Sequence, residues 1–148
     1  MRIYQKQFNE LTINELYDLL RLRAKVFVVE QQAAYQDLDD KDQESIHLFI
    51  KNDEDLIVSY VRVLPRGLSY ETDASIGRVV TDPDYRKNKY TKALISQGIQ
   101  IILNEFKTRT IRISAQTYLI DYYSSFGFKV VSEEYLEDGL PHKEMLLE

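Results

Sequence analysis

Residues 76–94 read IGRVVTDPDYRKNKYTKAL. Ile76, Val79 and Val80 run into Asp82-Pro83-Asp84, so the first part predicts a strand that stops at the proline. Arg86-Lys87-Asn88-Lys89 is a short basic loop, and an amphipathic helix begins near Tyr90. A strand, a loop and a helix N-terminus together suit an anion. The first N–H groups of a helix lack partners within it, and its dipole favours negative charge there. Arg86, Lys87 and Lys89 add full positive charge at the same point. The stretch reads either as a phosphate cradle or as a solvated basic turn ahead of a surface helix.

Upstream, residues 2–8 alternate loosely and predict a first strand. Thr12 with Glu15 three residues on forms a capping box, with Leu11 and Leu16 at staple positions. Leu16, Leu19, Leu20, Ala24 and Phe27 continue at helical spacing, which carries the helix to Val28 or Val29. Residues 30–45 are polar and acid-rich. Asp37, Asp39, Asp40, Asp42 and Glu44 invite a calcium reading, but the glycine and terminal glutamate of an EF-hand loop are missing. A solvated acidic loop, part of it lining a site for a cation, is the expectation. Residues 46–51 and 55–64 predict a hairpin across Asn52-Asp53-Glu54, and Pro65-Arg66-Gly67 ends it. Residues 74–81 make the third strand of this meander.

Downstream, the helix after Tyr90 carries Leu94 and Ile101 on one side and Ile95, Ile99, Ile102 and Phe106 on the other, a broad stripe that lies on a sheet. Residues 110–115 predict a strand and 117–125 a short helix closed by Gly127. Residues 128–135 and 142–147 predict two last strands, joined through Glu137-Asp138-Gly139 and Pro141. The order β-α-β-β-β-α-β-α-β-β gives an α+β class, with a mixed, largely antiparallel central sheet flanked by helices. One domain over residues 1–148 is expected, since no linker, repeat or low-complexity tract interrupts the chain.

Composition narrows the chemistry. The 148 residues carry a net charge of −5, which disfavours non-specific nucleic-acid binding and suits a cationic partner. With no cysteine there is no thiolate zinc site and no thiol nucleophile. No His, Asp and Glu cluster has metal-ligand spacing, so no metal is expected. The start lacks the apolar core of a signal peptide and no apolar run suits a bilayer, so a cytoplasmic protein with no membrane partner is expected. An exposed last strand leaves room for a homodimer.

Three separated stretches carry a family resemblance: Leu22-Arg23 with Val26-Phe27-Val28-Val29-Glu30-Gln31; Ile76-Gly77-Arg78-Val79-Val80; and the segment Glu134 to His142, which holds Asp138-Gly139-Leu140-Pro141-His142. With Tyr122-Tyr123-Ser124-Ser125-Phe126-Gly127-Phe128 and the element order, the chain resembles the GNAT superfamily of N-acetyltransferases in its ElaA-like branch. The resemblance implies acetyl-CoA as co-substrate and a primary amine, on a small molecule or a protein, as acceptor. It also implies that the loop after the fourth strand wraps a pyrophosphate with the backbone of Arg86, Lys87, Asn88, Lys89, Tyr90 and Thr91. The usual pattern there has glycines where Lys87, Lys89 and Thr91 stand. Residues already in helical geometry need no positive φ, so the amides are expected to face phosphate, with the Lys87 and Lys89 side chains either turned outward or replacing amide contacts with charge.

Acetyl transfer needs an unprotonated amine, a donor for the developing oxyanion and an acid for the departing thiolate. The resemblance gives the donor to the backbone N–H of Val79 or Val80, on a strand that also pairs with the pantetheine arm. It gives the acid to Tyr123, four residues before Gly127, and Tyr122 then packs. Glu30 and His47 are the candidate bases, and Glu30 is alternatively a binder of the cationic acceptor. Arg78 either orients a substrate carboxylate or pairs with Glu30. Gln116 is a candidate contact for the pantetheine or the substrate, and His142 a candidate wall of the acceptor pocket. The alternative is a non-catalytic protein of the same fold whose degenerate loop serves binding alone.

Overall fold

A computed structural model describes all 148 residues, Met1–Glu148. β1 (Tyr4–Gln7), β2 (Ile46–Lys51), β3 (Ile57–Leu64) and β4 (Ser75–Thr81) form one antiparallel sheet in that order. The second sheet has the order β5 (Ile111–Gln116), β8 (Leu140–Leu147), β6 (Lys129–Val130), and β7 (Tyr135–Glu137) also pairs with β8. The α+β expectation is met. Three helices complete it: α1 (Ile13–Arg23), α2 (Tyr90–Asn104) and α3 (Ile120–Ser124).

Alternation along β2 and β3 decides where α1 and α2 pack. Phe49 and Tyr60 face Leu19, Leu22 and Val26 of the α1 limb. Leu48, Val61 and Val63 face the other way and bury Leu94, Ile95, Ile101 and Ile102 of α2 in the larger core. β3 is therefore buried along its whole length, which holds it as the centre of the first sheet. Gly98 lets α2 sit close, since a Cβ there would come within 3.1 Å of Ile76 Cδ1.

α1 starts as the capping box requires. The Glu15 N–H donates to Thr12 Oγ1 at 3.0 Å, and the Thr12 N–H donates to Glu15 Oε1 at 2.9 Å. The helix then widens into a π turn over Ala24–Glu30, with the Gln31 N–H on the Val26 carbonyl and the Ala33 N–H on the Val28 carbonyl. Such turns often mark functional positions because they re-aim side chains.

Two expectations are corrected here. The strand foreseen over 128–135 is only Lys129–Val130, and residues 135–137 instead form β7, closed onto β8 by the two-residue turn Asp138-Gly139. Both turn residues have positive φ, the geometry that Asp-Gly favours in tight hairpins. The acidic connection is not a solvated loop either. Asp37 and Asp42 are buried and neutralise buried arginines. Arg23, itself inaccessible, donates to Asp37 Oδ2 at 2.7 Å and to Asp42 Oδ1 at 2.8 Å. Arg62 donates to Asp39 and to the same Asp42 oxygen. Asp40 and Glu44 alone of the five acids stay exposed. No helix is long and apolar enough to cross a membrane.

Candidate active site

β4 and β5 meet in parallel at one point. The Ala74 N–H donates to the Thr110 carbonyl at 3.2 Å, and the Arg112 N–H to the Ala74 carbonyl at 2.9 Å. Past that bridge the two strands are not paired, and a cavity of about 590 Å³ opens between residues 76–81 and 113–116. The π turn contributes Val26, Phe27 and Glu30 to its wall, α3 contributes Tyr122 and Tyr123, and the β7–β8 hairpin contributes Glu137, Asp138 and His142. Unpaired strand edges along an apolar cleft are a template for an extended ligand.

The β4 wall is bulged. Tyr60 pairs with Val80 but Arg62 pairs with Gly77, so Arg78 and Val79 stand opposite Val61 alone. Arg78 takes φ +48 to make the extra step. Its side chain turns to the acidic connection: Nη2 donates to the Asp37 carbonyl at 2.9 Å and to Asp39 at 3.3 Å, and Nε lies 2.8 Å from Asp37 Oδ1. The pairing with Glu30 is therefore absent, and two carboxylates already answer the Arg78 charge. Burial alone would raise the Asp39 pKa, but Arg62 and Arg78 outweigh it and hold the carboxyl well below its usual range.

Glu30 pairs instead with Arg86, which donates to it at 2.6 and 3.2 Å. Arg86 Nε also donates to the Thr81 carbonyl at 3.1 Å, so the basic loop is tied to the end of β4. Pro83–Asn88 form a 3₁₀ turn capped by Asp82, and Lys89 steps into α2 at φ +59. This corrects the expectation of plain helical geometry: Lys89 adopts the left-handed conformation that glycine provides without strain. Thr91 turns its hydroxyl sideways onto Thr81 at 2.6 Å, and Thr81 meets Ser59 at 2.7 Å. Arg86 and Thr91 line the cavity; Lys87, Asn88 and Lys89 are exposed beside it, and Tyr90 packs on the main core.

Tyr123 is 8% exposed, edge-on to Phe128 and Tyr122. The residue borders the cavity, and its hydroxyl makes no hydrogen bond to protein. Burial, with Tyr122 and Tyr118 near, pushes the phenol well above its ordinary range, so it stays protonated at neutral pH. Tyr122 shares the cavity wall as well as packing on Phe126. Gln116 and His142 both line the cavity, as partners across β5 and β8. Val79 and Val80 line it from β4.

His47 lies elsewhere. It is fully buried on β2, away from the cavity, with Nε2 at 2.9 Å from the Asp42 carbonyl and Nδ1 at 2.6 Å from the Tyr60 hydroxyl. A carbonyl only accepts, so Nε2 carries the proton and Nδ1 accepts from Tyr60. Burial lowers its pKa and keeps it neutral. With both nitrogens engaged, it cannot serve as the base of this site.

The family of GNAT acetyltransferase domains matches residues 9–148. The chain belongs to that family. Within it the relatives are ElaA-like. ElaA of Escherichia coli is 39% identical over 137 residues, 90% of this chain and 88% of that protein. A UPF0039 protein of Schizosaccharomyces pombe is 44% identical over 97% of this chain and 94% of its own length. Among solved structures, Escherichia coli ElaA and an acyl-CoA N-acyltransferase from Pseudomonas aeruginosa each superpose with a TM-score of 0.90 over the full length of both chains, at 33% and 35% identity. The GNAT fold that the resemblance implied is thus the one observed.

This GNAT acetyltransferase also has wall residues that sequence reasoning did not single out. Tyr35, whose hydroxyl donates to Asp37 at 3.0 Å, lies under Arg78. Thr81 links the loop to the sheet. Glu137 and Asp138 reach the cavity only because β7 folds back on β8, and the Asp-Gly turn was the sequence signal for that return.

Proposed function

We propose that the protein is an acetyl-CoA-dependent N-acetyltransferase, one domain over residues 1–148, that acetylates a primary amine by direct attack on the thioester. The observation that carries this is Tyr123, its phenol neutral and without a protein hydrogen bond, on the wall of an open cleft between two unpaired strands. The left-handed step at Lys89 keeps the backbone shape of a glycine-bearing loop, and Thr91 is folded away onto Thr81, so the residues present fit the co-substrate. Arg86 and the first amides of α2, with Lys87, Asn88, Lys89 and Tyr90, would hold its pyrophosphate. Val79, Val80 and Gln116 would hold its extended arm. Acetyl-CoA supplies the activated acyl group. Within the site the bulge offers an N–H at Val79 or Val80 to a developing oxyanion, and Tyr123 gives a proton to the leaving sulfur. Glu30, held by Arg86, braces the loop at the mouth of the cleft. Because Arg78 is already neutralised, the acceptor is an amine with no carboxylate beside it.

The test is a calorimetric titration with acetyl-CoA, followed by an amine screen for thiol release. Micromolar binding that weakens in Lys87→Ala/Lys89→Ala, together with amine-dependent release, is the expected result. Tyr123→Phe should lower kcat about 100-fold or more while acetyl-CoA affinity holds. The three positions that lack the usual glycines favour a second reading, a GNAT-fold protein that binds a partner or an acyl-CoA without turnover. Binding without thiol release for any amine would select it. A cytoplasmic location and pairing of two copies through an exposed strand are part of the leading reading, open to fractionation and to light scattering.

A further inference from the structure

His142 sits on β8 between Gln116 on one side and Tyr135 on the other. Tyr135 stacks on its ring, at 6.1 Å between centroids and 24° between planes. Nδ1 lies 2.8 Å from the Leu140 carbonyl. A carbonyl cannot donate, so Nδ1 carries the proton, and in the neutral ring Nε2 keeps its lone pair. Nε2 makes no hydrogen bond; the nearest charge is Glu137 Oε2 at 3.6 Å. The residue is only 6% exposed, yet it lines the cavity. It is a buried imidazole on the cavity wall, fixed in one tautomer, whose basic nitrogen has no hydrogen bond to protein.

The alternatives are occupied. Glu30 is engaged twice by Arg86, and His47 uses both nitrogens outside the cavity. The hairpin tip beside His142 carries Glu137, fixed by the Ser114 hydroxyl at 3.1 Å, and Asp138, both on the cavity wall. No basic side chain of the protein other than His142 pairs with Glu137, and none pairs with Asp138. We infer that His142 Nε2 is the base that deprotonates the acceptor, and that Glu137 and Asp138 draw the ammonium to it. This rests on the acetyltransferase reading above. The acceptor class is a strongly basic alkylamine, which arrives protonated and needs such a base.

His142 Nε2 takes one proton from the ammonium, freeing the nitrogen lone pair. That pair forms the C–N bond to the acyl carbon, and the oxyanion so formed then collapses and breaks the C–S bond. The sulfur receives the Tyr123 proton, and the second proton lost by nitrogen restores the phenol. His142, its imidazolium held against Glu137, then releases its proton to water. The net yield is amide, thiol and one proton.

The experiment measures acetyl-CoA affinity and CoA release for the wild type and His142→Gln with butylamine, 2-methoxyethylamine and trifluoroethylamine. These amines run from strongly to weakly basic, and the last is largely unprotonated at neutral pH. The expected defect in kcat/KM is about 100-fold or more with butylamine and about tenfold or less with trifluoroethylamine. Acetyl-CoA affinity should not change. Glu137→Gln, which leaves the ring in place, should show the same trend in smaller measure and serves if the first variant does not fold. A defect equal for all three amines, or none, overturns the inference, because a structural role is blind to amine basicity. So does a wild type that binds acetyl-CoA but acetylates none of the series at saturating amine. No acetyl-CoA binding at all overturns the parent reading, and the inference falls with it.

Discussion

Lys89 holds φ +59 at the step into α2, a conformation that costs an L-residue with a Cβ about 1–2 kcal/mol. Glycine avoids that strain but loses about 0.5–1 kcal/mol in backbone entropy. Lys89→Gly is therefore expected to stabilise the protein by about 0.5–1 kcal/mol, read as a rise in the midpoint of urea unfolding. Its acetyl-CoA binding should become less sensitive to salt, since one cation has left the loop. A lower midpoint would mean that the lysine side chain does more than tolerate its backbone. Single residues were unequally legible. Thr12 and Glu15 meet within one turn, so spacing alone exposed their cap. His47 did not show its true role, because its partners Asp42 and Tyr60 lie on other elements. The strain at Lys89 left no mark either, since the sequence shows a lysine in either conformation.

At the scale of elements, the connection from Asp37 to Asp42 is an internal counter-charge for three arginines from α1, β3 and β4. Asp42 is the joint of that network, shared by Arg23 at 2.8 Å and Arg62 at 2.9 Å. Removing one member of a buried ion set leaves uncompensated charge, at about 3–5 kcal/mol. Asp42→Asn should lose stability on that scale in chemical denaturation. Asp40→Asn, on an exposed neighbour, should change it by about 0.5 kcal/mol or less. Equal, small effects for the two would deny the network its structural part. The sequence displayed five acids but not the arginines that answer them, the farthest 41 residues away. A run of charge looks solvated until its partners are known. The β7–β8 hairpin was misjudged for a related reason: three residues are too few for a period-2 pattern to register. The meander of β2, β3 and β4, with long apolar alternation, was plain.

Across the whole molecule, buried titrating groups set a common direction in pH. His47 has a lowered pKa, so the unfolded chain takes up a proton that the folded one resists, and stability declines as pH falls through about 6.5. Glu15 behaves likewise at lower pH. Burial opposes its ionisation, but Lys6, the Thr12 N–H and Lys51 prevail and bring it down to about 2 from 4.5. Asp39 and Asp42 are lowered too. Their contribution is complete above the ordinary carboxylate range and is lost as pH falls toward their folded values. Thermal melts should thus show a decline from pH 7.5 to 5.5 and a steeper one below pH 4.5. His47→Gln should flatten the first stage only; a first stage that survives in it would point to another group. One feature of the fold, the lone bridge between Ala74 and Ile111, makes the two sheets a pair of leaves hinged at one end. The facing margins of those leaves should trade amide hydrogens with solvent quickly while the cleft is empty. A ligand lying along them would act as the absent middle strand and slow that trade on both leaves at once.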